Sequence, residues 1–410
     1  MRRPTILFIN RVYPPVRGAT GRVLKDLAKA FAHEGWHVTV VSSGPQSGEQ
    51  REGGVRIIRV KGAEKPSSSL AYLWVWFKML IISLRLKKRH ITVSMSDPPM
   101  IIYAGHIVAK LKGSKHINWC QDLYPEVVPV LGIRMSERLL GYLIRLRRKV
   151  MGKSDKVIVS GRCMAKYLIN DGLEPRKITM VSNWPDLELY DSEMIEFTTQ
   201  SENKHNYEGL RPFEKQLKTQ QRFRVLYAGN IGLVHPVDVV LQAAEILEQQ
   251  GSDIEFVFVG SGERFDYIAQ YRSERALDNI KLLPYQPIEQ LREVMESGDV
   301  HIISMKEDAA GFVVPSKLYS SLAVARPCVF IGPEHTETAK VINDFGAGTV
   351  IPEGDVARFL DAINLYRESG EAWFEAHRGA VNAHNVFTPQ GSIEAWMAKA
   401  WDLVKDDLNN

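Results

Sequence analysis

Three glycine turns and one lysine at a helix start are the residues in this chain best suited to chemistry. Gly18 and Gly21 lie in YPPVRGATGR, between a first apolar run and a first helical pattern that begins near Arg22. Gly229-Asn230-Ile231-Gly232, with His235 at a helix start, follows a later apolar run, and Gly260-Ser261-Gly262-Glu263 follows the next. A glycine turn between strand and helix lets backbone N–H groups approach a phosphate at the positive end of the helix. In Val313-Val314-Pro315-Ser316-Lys317, Ser316 falls near an N-cap and Lys317 in the first turn of the helix Leu318–Val324. A helix start carrying a cation is a natural seat for a diphosphate. No turn reads G-x-G-x-x-G, and no acidic residue closes the second strand to hold a ribose. There is no H-E-x-x-H and no D-x-D; His33, His37, His90, His106 and His116 lack metal-ligand spacing, so no metal is expected. Ser43, Ser160 and Ser182 lack a nucleophile-elbow context.

The elements that must position these residues alternate between strand and helix. Thr5–Asn10, His37–Ser42, Val55–Val60, Ile91–Ser94, His116–Gln121 and Lys156–Ser160 read as strands. Between the first two, Val23, Leu24, Leu27, Ala28 and Phe31 fall on one helical face. The same grammar restarts with Phe223–Ala228, the helix Pro236–Gln250, and the strands Ile254–Val259, Ile280–Leu283, Val300–Ser304, Cys328–Ile331 and Thr349–Ile351. Such alternation predicts α/β architecture: two Rossmann-like domains on parallel sheets, with the ligand in the cleft between them. The expected boundaries are 1–197, a polar linker or insertion at 198–222, a second domain at 223–390 and a terminal segment at 391–410. Its helix, Ser392–Val404, has no sheet of its own and is expected to pack back on the first domain.

The 410 residues carry a formal charge of +4 that conceals a division. Residues 1–200 hold 32 Lys and Arg against 17 Asp and Glu; the remainder holds 20 against 31. The basic half points to an anionic partner, whereas the acidic half argues against nucleic acid. Three widely spaced cysteines exclude a disulfide scaffold and fit a reducing cytoplasm. The N-terminal apolar run is too short for a signal peptide. Leu70–Leu86 is apolar but interrupted by Lys78 and Arg85, short of a comfortable span. Trp74, Trp76 and the basic residues 87–89 give it an interfacial character, repeated in the basic helix Arg134–Lys153. The alternative is a buried core helix with a basic cap.

Taken in order, YPPVRGATGRVLKDLAKAFAHEGWHVTVVS, SDPPM (96–100), WCQDLYPE (119–126), SNWPD (182–186), YAGNIGLVH (227–235) and VVPSKLYSSLAVARPCVFIGP (313–333) resemble family 4 retaining glycosyltransferases of the GT-B fold. The nearest branch is that of bacterial O-antigen, capsule and colanic-acid polysaccharides. The resemblance implies that Gly18 and Gly21 face the donor diphosphate, and that Asp122 is catalytic, orienting acceptor or donor sugar. Gln121 stands where many relatives have His, Asn230 where much of the family has a diphosphate-binding Arg, and His235 near the usual Lys. Gly229, Gly260, Gly262, Ser316 and Lys317 then complete the donor site, with Lys317 stabilising the leaving group and Tyr285 beside the nucleobase. Arg17, Gln121 and Glu126 fall to the acceptor. The family's two Glu residues, eight apart, map onto Phe312 and Ser320, and Ala325 replaces a common Gly; Glu307 and Asp308 lie nearby but out of register.

The implied reaction is metal-independent transfer of a hexosyl or N-acetylhexosaminyl group from a nucleotide-diphosphate sugar, UDP-linked, with retention. The implied acceptor is a polyprenyl-diphosphate-linked saccharide at the inner face of the cytoplasmic membrane. The nucleotide sugar is a co-substrate and no other cofactor is expected. The substitutions at Asn230 and Ser320 leave a second reading, a catalytically silent nucleotide-sugar-binding or scaffolding subunit. A third, an epimerase, needs a cleft acid–base pair that the sequence does not reveal.

Overall fold

A computed structural model of the chain describes residues 3–64, 68–190 and 223–409; the polar segment 198–222 lies outside the described residues. The first sheet contains β1 (Thr5–Ile9), β2 (His37–Gly44), β3 (Gly48–Glu52), β4 (Val55–Lys61), β5 (Ile91–Ser94), β6 (Lys115–Cys120), β7 (Lys156–Val159) and β8 (Ile178–Met180). Their order is β3-β4-β2-β1-β5-β6-β7-β8, parallel throughout except where β3 meets β4. The second sheet contains β9 (Phe223–Asn230), β10 (Ile254–Ser261), β11 (Ile280–Leu283), β12 (Val300–Ser304), β13 (Cys328–Ile331) and β14 (Gly348–Ile351). Its order is β11-β10-β9-β12-β13-β14, all parallel. Strand order reverses between β1 and β5 and again between β9 and β12, and a crevice opens at the carboxyl ends of strands at such points.

Side-chain pattern explains the layers. The first helix, Ala19–His33, buries Val23, Leu24, Leu27, Ala28 and Phe31 against β1 and β2, while Arg22 donates to the Trp184 and Pro185 carbonyls and Asp26 accepts from Trp184 Nε1. It begins three residues before Arg22, so Gly18 is its N-cap and Gly21 lies inside its first turn. A Cβ at either glycine would fall within 3 Å of Val12 Cγ1, and this close approach is what requires glycine. In the second domain the helix Asp238–Gln249 buries Val239, Val240, Ala243, Ala244 and Leu247 beside Tyr227, Phe256 and Phe258.

The chain's last helix, Pro389–Asn409, longer than its periodicity suggested, packs on the first domain. Trp396 is fully buried there, its ring centroid 5.9 Å from Phe8, 5.7 Å from Phe31 and 5.4 Å from Trp119. A second bridge joins the domains where the helix Arg162–Asn170 begins. The buried Glu337 carboxylate accepts the Arg162 backbone N–H at 2.6 Å and its guanidinium Nε at 3.0 Å, while Asp344 accepts Arg162 Nη1 at 2.7 Å.

Candidate active site

Strands β9 and β10 stay in register past their apolar residues, pairing Gly229 with Gly260 and Asn230 with Ser261. Gly260 has φ 146° and Gly262 φ 142°. A Cβ on Gly260 would fall 2.1 Å from the Gly229 carbonyl oxygen, and one on Gly262 2.4 Å from the Ile231 oxygen. Only glycine fits, and the result is a floor of bare backbone.

Lys317 lies over this floor at the first turn of the helix Lys317–Ala323. Its Nζ donates to the Asn230 carbonyl oxygen at 2.9 Å and sits 4.9 Å from the centroid of the Tyr227 ring. Burial pulls its pKa down to about 7, because removing an ammonium from water disfavours the charged form. Among the described residues no carboxylate forms an ion pair with it. His235 lies close by and donates Nδ1–H to the Ser304 carbonyl oxygen at 2.6 Å. Burial first, and Lys317 second, push its pKa down to about 3. The imidazole is therefore neutral and Nε2 carries a lone pair. Ser316 occupies the N-cap position but makes no capping bond, and Ser320 follows one turn after Lys317, half-buried. Asn230 is exposed and takes part in this network through its carbonyl.

The first domain contributes the loop after β6. The Ser96 hydroxyl accepts the backbone N–H of Gln121 at 2.8 Å and of Asp122 at 2.9 Å, which fixes the start of that loop. Burial, with a smaller push from Asp97, raises the Asp122 carboxyl to about 6. Asp97 itself is held by a two-point bond to buried Arg11, at 2.6 and 2.7 Å. Gln121 is buried, and its Oε1 accepts from Asn183 Nδ2 at 2.8 Å. Glu126, expected at the acceptor, is instead buried in an ion pair with Arg147, a fully buried guanidinium that also bonds Asp171. A desolvated carboxylate needs such a partner, so Glu126 holds the loop in place.

Two further contacts bring the halves together. The Arg17 guanidinium lies 5.4 Å from the centroid of Tyr285, which is 38% exposed at the end of β11. The Leu123 backbone N–H, one residue after Asp122, donates to the Phe312 carbonyl oxygen at 2.8 Å. Sequence reasoning missed Arg11, Tyr227 and Asn183. Asp97, Asn183 and Tyr227 lie inside SDPPM, SNWPD and YAGNIGLVH, where a signal existed; Arg11 lay outside the quoted motifs. Among the described residues no group of three His, Cys, Asp or Glu side chains is placed to hold a metal ion.

The second domain thus presents a half-buried lysine over glycine backbone, with no carboxylate paired to it among the described residues, and the first domain presents the half-buried carboxyl of Asp122. Residues 18–184 match the model of the glycosyl transferase 4-like domain, and residues 211–377 match that of glycosyl transferases group 1. The chain is 22% identical over 301 residues to WbjE of Pseudomonas aeruginosa, named as a glycosyltransferase, covering 70% of each chain. It is 27% identical over 262 residues to WcaI of Escherichia coli, named for colanic acid biosynthesis, covering 62% of this chain and 60% of that one. The fold matches Anabaena HepE, solved with UDP and glucose, at a TM-score of 0.66 and 14% identity, over 97% of this chain and 99% of that one. The chain thus belongs to the glycosyltransferases, a glycosyl transferase 4-like domain followed by a group 1 domain, and has the GT-B fold.

Proposed function

We propose that the protein transfers a sugar from a UDP-sugar, with retention and without a metal, to a lipid-diphosphate-linked saccharide during assembly of a bacterial surface polysaccharide. The observation that carries this is Lys317, half-buried, without a carboxylate partner among the described residues, above the Gly229–Gly260 floor. A preorganised cation beside bare backbone is suited to the charge that develops on a departing diphosphate. On that reading Lys317 stabilises the leaving group, Asp122 orients acceptor or donor sugar, and the acceptor hydroxyl passes its proton to the departing phosphate oxygen on the same face. The colanic acid named for WcaI supports the polysaccharide role, and the UDP bound to HepE supports the nucleotide.

The outer face of the first domain supports a membrane-bound acceptor. Among the described residues no helix is long and apolar enough to cross a membrane. The helix Ser69–Arg85 buries Val75 and Met79 but exposes Leu70, Leu73, Trp74, Phe77 and Ile81. Leu111 and Tyr142 are also exposed, on the helices Ile101–Lys112 and Glu137–Lys153, and basic residues follow at 87–89. An apolar stripe with a basic border suits an anionic leaflet, where each Lys or Arg near the surface contributes about 1 kcal/mol.

Thermal denaturation against UDP, GDP, ADP and dTDP sugars tests the donor. A ligand at a hundred times its Kd adds about 2.7 kcal/mol to stability. Stabilisation by UDP-sugars that EDTA leaves unchanged is expected. Stabilisation by no nucleotide sugar sinks the donor assignment, whereas binding without transfer favours the silent subunit.

A further inference from the structure

At the base of the cleft the two domains exchange side chains. Phe312, from the second domain, packs into the first domain's cluster of Leu123, Met164 and Leu168, its ring edge-on to Tyr167 at 5.1 Å and 87°. In return Val130, from the first domain, packs against the second domain's core, and its carbonyl oxygen accepts Lys306 Nζ at 3.4 Å. The Phe312 carbonyl accepts the Leu123 N–H at 2.8 Å. Gly311, at φ 82°, turns the chain just before Phe312.

We propose that Phe312 is a positioning residue whose insertion, with Val130 in return, sets the Asp122 loop against the Lys317 helix. The tethers are short. Leu123 is the residue after Asp122, and Phe312 is five residues before Lys317. Each functional group therefore hangs from the interlock by a few residues of buried or hydrogen-bonded chain. Phe312 stands where the resemblance leads one to expect a carboxylate, and its aromatic ring fills an apolar site that an ionised side chain could occupy only at a large desolvation cost. A misplacement of about 1 Å between reacting groups costs on the order of a hundredfold in rate, so loss of the interlock acts on turnover more than on nucleotide affinity. The inference rests on the proposed roles of Asp122 and Lys317.

Full-length Phe312→Ala, Phe312→Leu and Phe312→Glu provide the test, with three readouts: calorimetric UDP affinity, UDP release from UDP-glucose, and hydrogen exchange resolved to the Leu123 amide. Phe312→Ala is expected to lower kcat at least tenfold and to speed Leu123 exchange at least tenfold, with UDP Kd within twofold of wild type. Phe312→Leu restores most of both, and Phe312→Glu restores neither. Unchanged kcat and exchange in Phe312→Ala overturn the proposal. So does a UDP Kd that weakens in step with kcat, since Phe312 would then be a donor contact. If wild type neither binds UDP nor releases it, the functional reading fails instead. The exchange series then decides the interlock by itself.

Discussion

If Lys317 faces the diphosphate as proposed, nucleotide binding is linked to pH in a way that can be worked out in advance. In the free protein burial lowers its pKa to about 7, so the ammonium is half deprotonated at neutrality. A diphosphate on the adjacent backbone floor favours the charged form, and the complex must take up a proton wherever the free lysine is neutral. If only the charged form binds, apparent Kd scales as one plus ten raised to the difference between pH and pKa. Between pH 6 and pH 8 UDP affinity then weakens about tenfold, or about 1.4 kcal/mol. Proton uptake rises over the same range from about 0.1 to about 0.9 per UDP bound. His235, depressed to about 3, stays neutral throughout and contributes nothing unless the ligand raises it by several units. UDP itself gains negative charge over this range, which works in the opposite sense and is removed by comparison with Lys317→Met. The assay is titration calorimetry in buffers of different ionisation enthalpy, which reads Kd and proton uptake together. Wild type should show the loss of affinity relative to Lys317→Met and the proton uptake; Lys317→Met should bind more weakly at pH 6 and take up almost none. Equal uptake in the two proteins, or none in wild type at pH 8, refutes the placement of Lys317 at the diphosphate.

Asp122, raised to about 6 by burial and Asp97, is charged above that pH, so kcat/KM should fall about tenfold per unit below it if the anion is the working form. Asp122→Asn should remove that limb and lower kcat at least a hundredfold, read from rate–pH profiles, with UDP affinity unchanged. Gly260→Ala drives a methyl to 2.1 Å from a fixed carbonyl oxygen and should abolish UDP binding or the second domain's cooperative unfolding, checked by calorimetry. Trp396→Ala empties a fully buried aromatic site between Phe8, Phe31 and Trp119, which costs about 3–5 kcal/mol and should appear in denaturant unfolding. Leu70→Glu with Trp74→Glu should abolish cosedimentation with anionic vesicles at low salt while leaving UDP affinity as it was.

Much of the fold was legible because buried parallel strands are written as short apolar runs between turn residues. Ile91–Ser94, Ile280–Leu283, Val300–Ser304 and Cys328–Ile331 have the bounds the sequence suggested. β3 was missed because all five residues of GEQRE are exposed and show no alternation. Its signal was the Gly53-Gly54 pair, both at positive φ, which makes the hairpin to β4. In the proposed site, the placement of the glycines and Lys317 was legible because a strand end and a helix start are set by local backbone. Glu126 was misread because its partner Arg147 lies 21 residues away on another helix. Phe312 and Glu337 were invisible as bridges for the same reason, their contacts being with the other domain. Gly21 was legible as a glycine, but not its cause, the packing of the first helix turn against Val12.

The most direct test of the account is sugar transfer itself. Purified protein would be incubated with UDP-sugars and a polyprenyl-diphosphate saccharide in anionic vesicles, with EDTA present, and the lipid product read by mass spectrometry. The account predicts a lipid product heavier by one sugar residue, its new linkage retaining the donor's anomeric configuration, lost in Asp122→Asn and Lys317→Met. No product from any UDP-sugar, with UDP bound and the fold intact, would contradict it.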